Sequence, residues 1–146
     1  DMKDRIYKKY NFDFSTIVGV QIRRGDYVKF PDHHPLVPVS YFQETMKQFS
    51  GKKFMLFTDD VDWCINNLDF DSFLIPDETD YMELYLMTLC SSLIISNSSF
   101  GWWGAYLNNT PNKQVYAPST WFGKSIMDKG FDIDDLILPD WQKIKI

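Results

Sequence analysis

Thr16-Ile17-Val18-Gly19-Val20-Gln21-Ile22-Arg23-Arg24-Gly25-Asp26 (TIVGVQIRRGD) decides the fold. An apolar, β-rich run breaks abruptly into two arginines, a glycine and an aspartate. Such a run, bounded by polar residues, predicts a buried strand over Thr16–Ile22, of the kind found in parallel sheets covered on both faces. The arginines fall where that strand stops. In open α/β sheets, ligands sit outside the carboxyl ends of the strands.

The flanking sequence repeats the pattern. Ser40–Phe49 reads as a helix, with Ser40 as N-cap, an apolar stripe of Phe42, Met46 and Phe49, and Gly51 ending it. Lys53–Thr58 (KFMLFT) reads as a second strand and Val61–Leu68 as a short helix. Ser72–Ile75 reads as a third strand. Asp80–Cys90 is a helix whose apolar surface comes from Tyr81, Leu84, Tyr85, Met87 and Leu89. Leu93–Ser96 (LIIS) is a fourth strand, Ser99–Leu107 a helix and Val115–Ala117 a fifth strand. Strands alternating with helices at this spacing predict βαβ units, hence an α/β fold with a parallel sheet and helices on both faces. The tail after Trp121 is less regular and is expected to pack back on the domain through Trp141.

With 146 residues, the chain is expected to form one domain with a real core. Hydrophobic residues at 45% and aromatics at 17% exclude a disordered chain. The net charge of −5 argues against nucleic acid as a partner, so any anion must be held locally. No apolar run is long enough to span a bilayer, and Asp1-Met2-Lys3-Asp4-Arg5 does not read as a signal peptide, so a cytoplasmic location is expected. Cys64 and Cys90 lack metal-ligand spacing and read as reduced, structural thiols. The first residue is not Met and a strand-like run follows almost at once, which reads as a piece excised from something longer or as a processed chain.

The strand ends form a polar rim: Arg23, Arg24 and Asp26; Thr58, Asp59 and Asp60; Asn97, Ser98 and Ser99; and Pro118, Ser119 and Thr120. Consecutive strand residues point to opposite faces, so one guanidinium can meet a ligand while the other braces the loop. Asp26 is placed to orient one of them, and Gly25 lets the backbone turn tightly. A guanidinium suits a diphosphate because it offers paired donors and never loses its charge; the alternative is a structural ion-pair cluster. Asn97-Ser98-Ser99-Phe100-Gly101-Trp102-Trp103-Gly104 follows a strand and opens a helix, whose free N–H groups and dipole make an anion site, or whose serine merely caps it. Asp59 and Asp60 could hold a base or ribose. Asp60 and Asp62 have the spacing of a metal-dependent sugar transferase; both could equally be a solvated helix start. His33 and His34, between Pro31 and Pro35, are candidate substrate contacts or plain loop polarity.

Taken together, VGVQIRRGDYV, FMLFTDDVDW, LYLMTLCSSLIISNSSFGWWGAYLN and VYAPSTWF resemble the bacterial α-1,2-fucosyltransferases of glycosyltransferase family 11. The resemblance runs from about Ile17 to Trp141. It implies the C-terminal, donor-binding half of a GT-B type enzyme: a single Rossmann-like domain over residues 1–146, without the N-terminal acceptor domain. It further implies inverting, metal-independent transfer of L-fucose from GDP-β-L-fucose to a galactose hydroxyl of a glycan, with no cofactor. Peripheral association of the full-length enzyme with a membrane is compatible with it. By resemblance Arg24 would bind the β-phosphate, supported by Arg23. Asp59 or Asp60 would meet the guanosine, and Ser98, Ser99 and Phe100 would hold the diphosphate and neighbouring sugar. Asp26 joins the two arginines as a candidate catalytic residue, and Thr58 and Asn97 join the candidate donor-binding residues. Where the family has a histidine two residues before the first arginine, this chain has Gln21, whose amide offers hydrogen bonds to the base. Two other readings stay open: a metal-dependent nucleotide-sugar transferase using Asp60 and Asp62, and a nucleotide- or glycan-binding module without turnover.

Overall fold

The computed structural model describes residues 1–69 and 73–146. Five strands form one sheet in the order β2-β1-β3-β4-β5, every neighbouring pair parallel. They are β1 (Ile17–Ile22), β2 (Lys53–Thr58), β3 (Ser92–Ile95), β4 (Val115–Pro118) and β5 (Gln142–Ile144). Outside β2, a single parallel rung joins Leu74 to Met55. The Leu56 N–H donates to the Leu74 carbonyl, and the Leu74 N–H to that of Phe54. The expected strand Ser72–Ile75 is reduced to this rung; Ser72 lies outside the described residues. With the rung counted as a strand position, chain order across the sheet is 3-2-1-4-5-6, that of dinucleotide-binding folds.

The sheet sorts its side chains by the period of two. Ile17, Met55, Phe57, Leu93, Ile95 and Val115 face one way, where α1 (Met2–Lys9), α4 (Asp80–Leu89), α5 (Ser99–Leu107) and the tail tryptophans Trp121 and Trp141 pack on them. Val18, Val20, Ile22, Phe54, Leu56 and Ile94 face the other way, onto α2 (Val39–Met46) and α3 (Val61–Asn67). All six residues of β1 are buried. Gly19 is required there: a Cβ would fall 2.5 Å from Leu93 Cδ2.

Several boundaries differ from the sequence reading. The N-cap of α2 is Pro38, not Ser40, and α2 ends at Met46, with Phe49 buried in the turn beyond. The buried face of α4 is Met82, Leu86 and Met87, while Tyr81 is 60% exposed. Helix α1 was not legible. Asp1 caps it, Ile6 is wholly buried, and Glu78 clamps it through Lys9 Nζ at 2.6 Å and Tyr10 Oη at 3.2 Å. The tail packs back as expected and contributes a short α6 (Lys124–Met127) and β5. Both cysteines are buried and unpaired with each other, and burial raises both thiol pKa values. No helix among the described residues is long and apolar enough to cross a membrane.

Candidate functional site

A cleft of about 230 Å³ opens at the carboxyl ends of β1 and β2. Gln21, Ile22 and Arg23 line it from β1 and its exit, and Phe57, Thr58 and Asp59 from β2 and its exit. Asp80 and Glu83 come in from α4, Ser98 and Phe100 from the start of α5. The cleft therefore sits where chain order reverses between β1 and β3, the switch point at which open sheets bind ligands.

The alternation along β1 continues into the arginines and separates them. Arg23 follows Gln21 onto the cleft side. Its Nη2 donates to Asp26 Oδ1 at 2.7 Å, its Nη1 pairs with Asp59 Oδ2 at 3.0 Å, and its backbone N–H donates to Ser96 Oγ at 3.1 Å. Arg24 lies off the cleft. Its Nε pairs with Asp60 Oδ2 at 3.1 Å and its guanidinium stacks 3.8 Å from the Trp63 ring centre, a cation–π contact. The Arg23 side chain is 39% exposed and that of Arg24 15%. Asp59 ties the two together, accepting from the Arg24 backbone N–H at 2.9 Å. Gly25 leaves room for it, since a Cβ there would lie 2.4 Å from Asp59 Oδ2. The hydrogen bond from Arg23 holds the exposed Asp26 carboxyl below its ordinary range.

The glutamine and the serine block meet inside. Gln21 is 4% exposed, and its Oε1 accepts from the Ser96 hydroxyl at 2.8 Å and the Ser96 N–H at 3.3 Å. Gly101 of α5 packs directly on that amide: a Cβ would sit 2.4 Å from Gln21 Oε1. Ser98 is the N-cap of α5 but makes no side-chain capping bond, which leaves the first-turn amides to another acceptor. Ser98 is buried on the cleft and Ser99 is exposed. Asn97 is not on the cleft. It is 1% exposed, and its Nδ2 donates to the Pro35 and Trp121 carbonyls, both at 2.9 Å. Its own carbonyl accepts from Tyr27 Oη at 3.0 Å, and Tyr27 stacks on His34 with ring centres 4.5 Å apart. Asn97 and His34 thus brace the arginine loop from beneath.

The acidic residues divide in the same way. Asp60 caps α3 by accepting from the Trp63 N–H at 3.2 Å, besides holding Arg24. Thr58, on the cleft, accepts from the Asp60 N–H at 3.1 Å. Asp62 is exposed in the first turn of α3, and no three His, Cys, Asp or Glu side chains among the described residues are grouped to hold a metal. Asp80 and Glu83 were not foreseen. The Glu83 carboxyl is pushed up to about 7, first by burial and then by the negative charges of Asp80 and Glu78. The signal was present: two carboxylates three apart fall on one helix face. It was masked by the apolar residues around them.

The family model for glycosyl transferase family 11 matches residues 6–145. Among curated proteins, the chain is 31% identical to an O-antigen biosynthesis glycosyltransferase, WbnK, of Escherichia coli, over 80% of this chain and 43% of that protein. It is 35% identical to an alpha-1,2-colitosyltransferase of Escherichia coli, over 72% of this chain and 41% of that protein. It is 27% identical to the Homo sapiens galactoside alpha-(1,2)-fucosyltransferase 1, over 86% of this chain and 38% of that protein. The chain spans about two-fifths of the length of these relatives. No solved structure matches it.

Proposed function

This chain belongs to glycosyl transferase family 11, and from that membership we propose that its cleft binds the nucleotide sugar GDP-β-L-fucose for α-1,2 transfer of fucose to a galactose hydroxyl of a glycan. One observation carries the reading: Arg23 and the uncapped start of α5 converge on a single cleft at the switch point of the sheet. In an acidic protein, these are the groups that favour a diphosphate. In the transfer, the acceptor oxygen attacks the anomeric carbon from the side opposite the diphosphate, the carbon–phosphate-oxygen bond breaks, and β becomes α. The charge that develops on the departing diphosphate falls to the Arg23 guanidinium and the amides of α5, so a divalent metal is not required. The acceptor sugar and its proton acceptor are assigned to parts of the enzyme outside this chain.

Asp59 and Asp60 are held by the arginines and by α3, which supports a structural part for both. Titration calorimetry with GDP, GDP-fucose and a UDP-sugar, with and without EDTA, tests the proposal. Binding of both guanine compounds, unaffected by chelator, is expected. Loss of binding in EDTA, reproduced by Asp60→Asn or Asp62→Asn, would replace it with a metal-dependent transferase.

A further inference from the structure

We propose that Glu83 is the residue by which this cleft selects guanine, its carboxylate accepting from the ring N1–H and the exocyclic 2-amino group. The inference rests on the donor reading above and adds a base-reading residue to it.

Guanine presents two adjacent donors along one edge, and a carboxylate is the side chain that accepts both at once. Three carboxylates line the cleft, and two of them are poorly placed for the task. Asp59 is engaged by Arg23 and by the Arg24 backbone. Asp80 lies at the first position of α4, exposed to solvent. Glu83 is half-buried one turn further in, and no protein donor meets its carboxylate among the described residues.

A second group points the same way. Gln21 is more than nine-tenths buried, and the Ser96 N–H fixes which end of its amide is oxygen. Its Nε2 therefore lines the cleft with no protein acceptor among the described residues. An amide donor and a carboxylate acceptor in one cleft match a base that carries both acceptors and donors. Phe100, half-buried beside them, offers a ring face for stacking. An adenine would set its ring N1 lone pair against the carboxylate, and a uracil has only one donor to offer.

The charge around Glu83 adds a dependence on pH. Burial first, and then Asp80 on its own helix and Glu78 in the preceding loop, hold its carboxyl protonated to higher pH than usual, while Arg23 and Asp59 line the same cleft as an ion pair. Accepting two donors needs the ionised form, so guanine binding strengthens as pH rises through neutrality. GDP-fucose is the probe for that profile, because its diphosphate has no terminal oxygen titrating in the same range.

Calorimetry with GDP, IDP and ADP on this chain and on Glu83→Gln tests the inference. IDP lacks only the 2-amino group. The unaltered chain is expected to bind GDP about tenfold or more tighter than IDP, the effect of one hydrogen bond to a charged group. ADP should be weaker still. In Glu83→Gln the GDP-to-IDP ratio should fall towards one, and the rise of GDP-fucose affinity between pH 6 and 8 should flatten. Asp80→Asn should leave the ratio unchanged. Equal weakening of GDP, IDP and ADP by Glu83→Gln would mean that the carboxylate meets the ribose, and would overturn the inference. So would a ratio that follows Asp80 instead. If GDP does not bind to the unaltered chain at all, the donor reading itself fails.

Discussion

Arg23 and Arg24 are neighbours in sequence and belong to different environments, because the last residues of a strand still alternate. One reaches the cleft; the other lies against Trp63 with Asp60 at its Nε. The family resemblance favours Arg24 for the β-phosphate, whereas the cleft itself is lined by Arg23. Arg23→Ala is expected to weaken GDP by about 2–4 kcal/mol, the effect of losing a charge-assisted, partly desolvated contact. Arg24→Ala should weaken it less and should loosen α3. Calorimetry on both variants decides between them, and a larger loss for Arg24→Ala would move the diphosphate to the α3 side of the loop. Glu83 makes a separate prediction about stability. Its carboxyl titrates near 7 in the folded chain and near 4.5 in the ordinary range. Its contribution is therefore fully favourable below about 4.5 and is lost as pH rises through about 7. Glu83→Gln should melt at a higher temperature than the unaltered chain at pH 8, with the gap closing towards pH 4 in thermal scans.

At the scale of elements, legibility followed position in the chain's own pattern. Gln21, Arg23, Thr58, Ser98 and Phe100 could be read because each ends a strand or begins the following helix, where the fold rule says to look. Glu83 could not, because it enters from the flank of α4 and its neighbours Tyr81, Leu84 and Tyr85 read simply as apolar surface. The limits of α2 went wrong for a local reason: a proline can begin a helix without a side-chain cap, so Ser40 was not needed for that purpose. The contact between α5 and β1 yields a sharper expectation. At Gly101→Ala the new methyl collides with the Gln21 amide, which is pinned by Ser96. The variant should lose about 1–3 kcal/mol in denaturant unfolding, as overpacked cores do, and should bind GDP less well. Gly104→Ala should be destabilised too, since its methyl would meet the wholly buried Met87 at Cε, Sδ and Cβ, at 2.5, 2.7 and 3.0 Å.

Across the whole molecule, the doubly covered parallel sheet was legible because βαβ alternation leaves few other arrangements. The two ends of the chain were not. Helix α1 (MKDRIYKK) is mostly charged and docks through Ile6 and the Glu78 clamp, neither of which leaves a periodic trace. Strand β5 is three residues long, too short to show alternation, and it exists because β4 offers it a ladder. That last strand bears on how the protein behaves at high concentration. Among the described residues β5 pairs with β4 alone, so its outer rim presents free backbone groups to any extended chain that drifts past. Lys143 within it and Lys145 just beyond it are the charges that repel such a visitor. Replacing both with valine should leave the cleft intact and turn a dispersed solution into one that scatters light and binds thioflavin T on standing, whereas lysine-to-arginine changes at the same two positions should keep it clear.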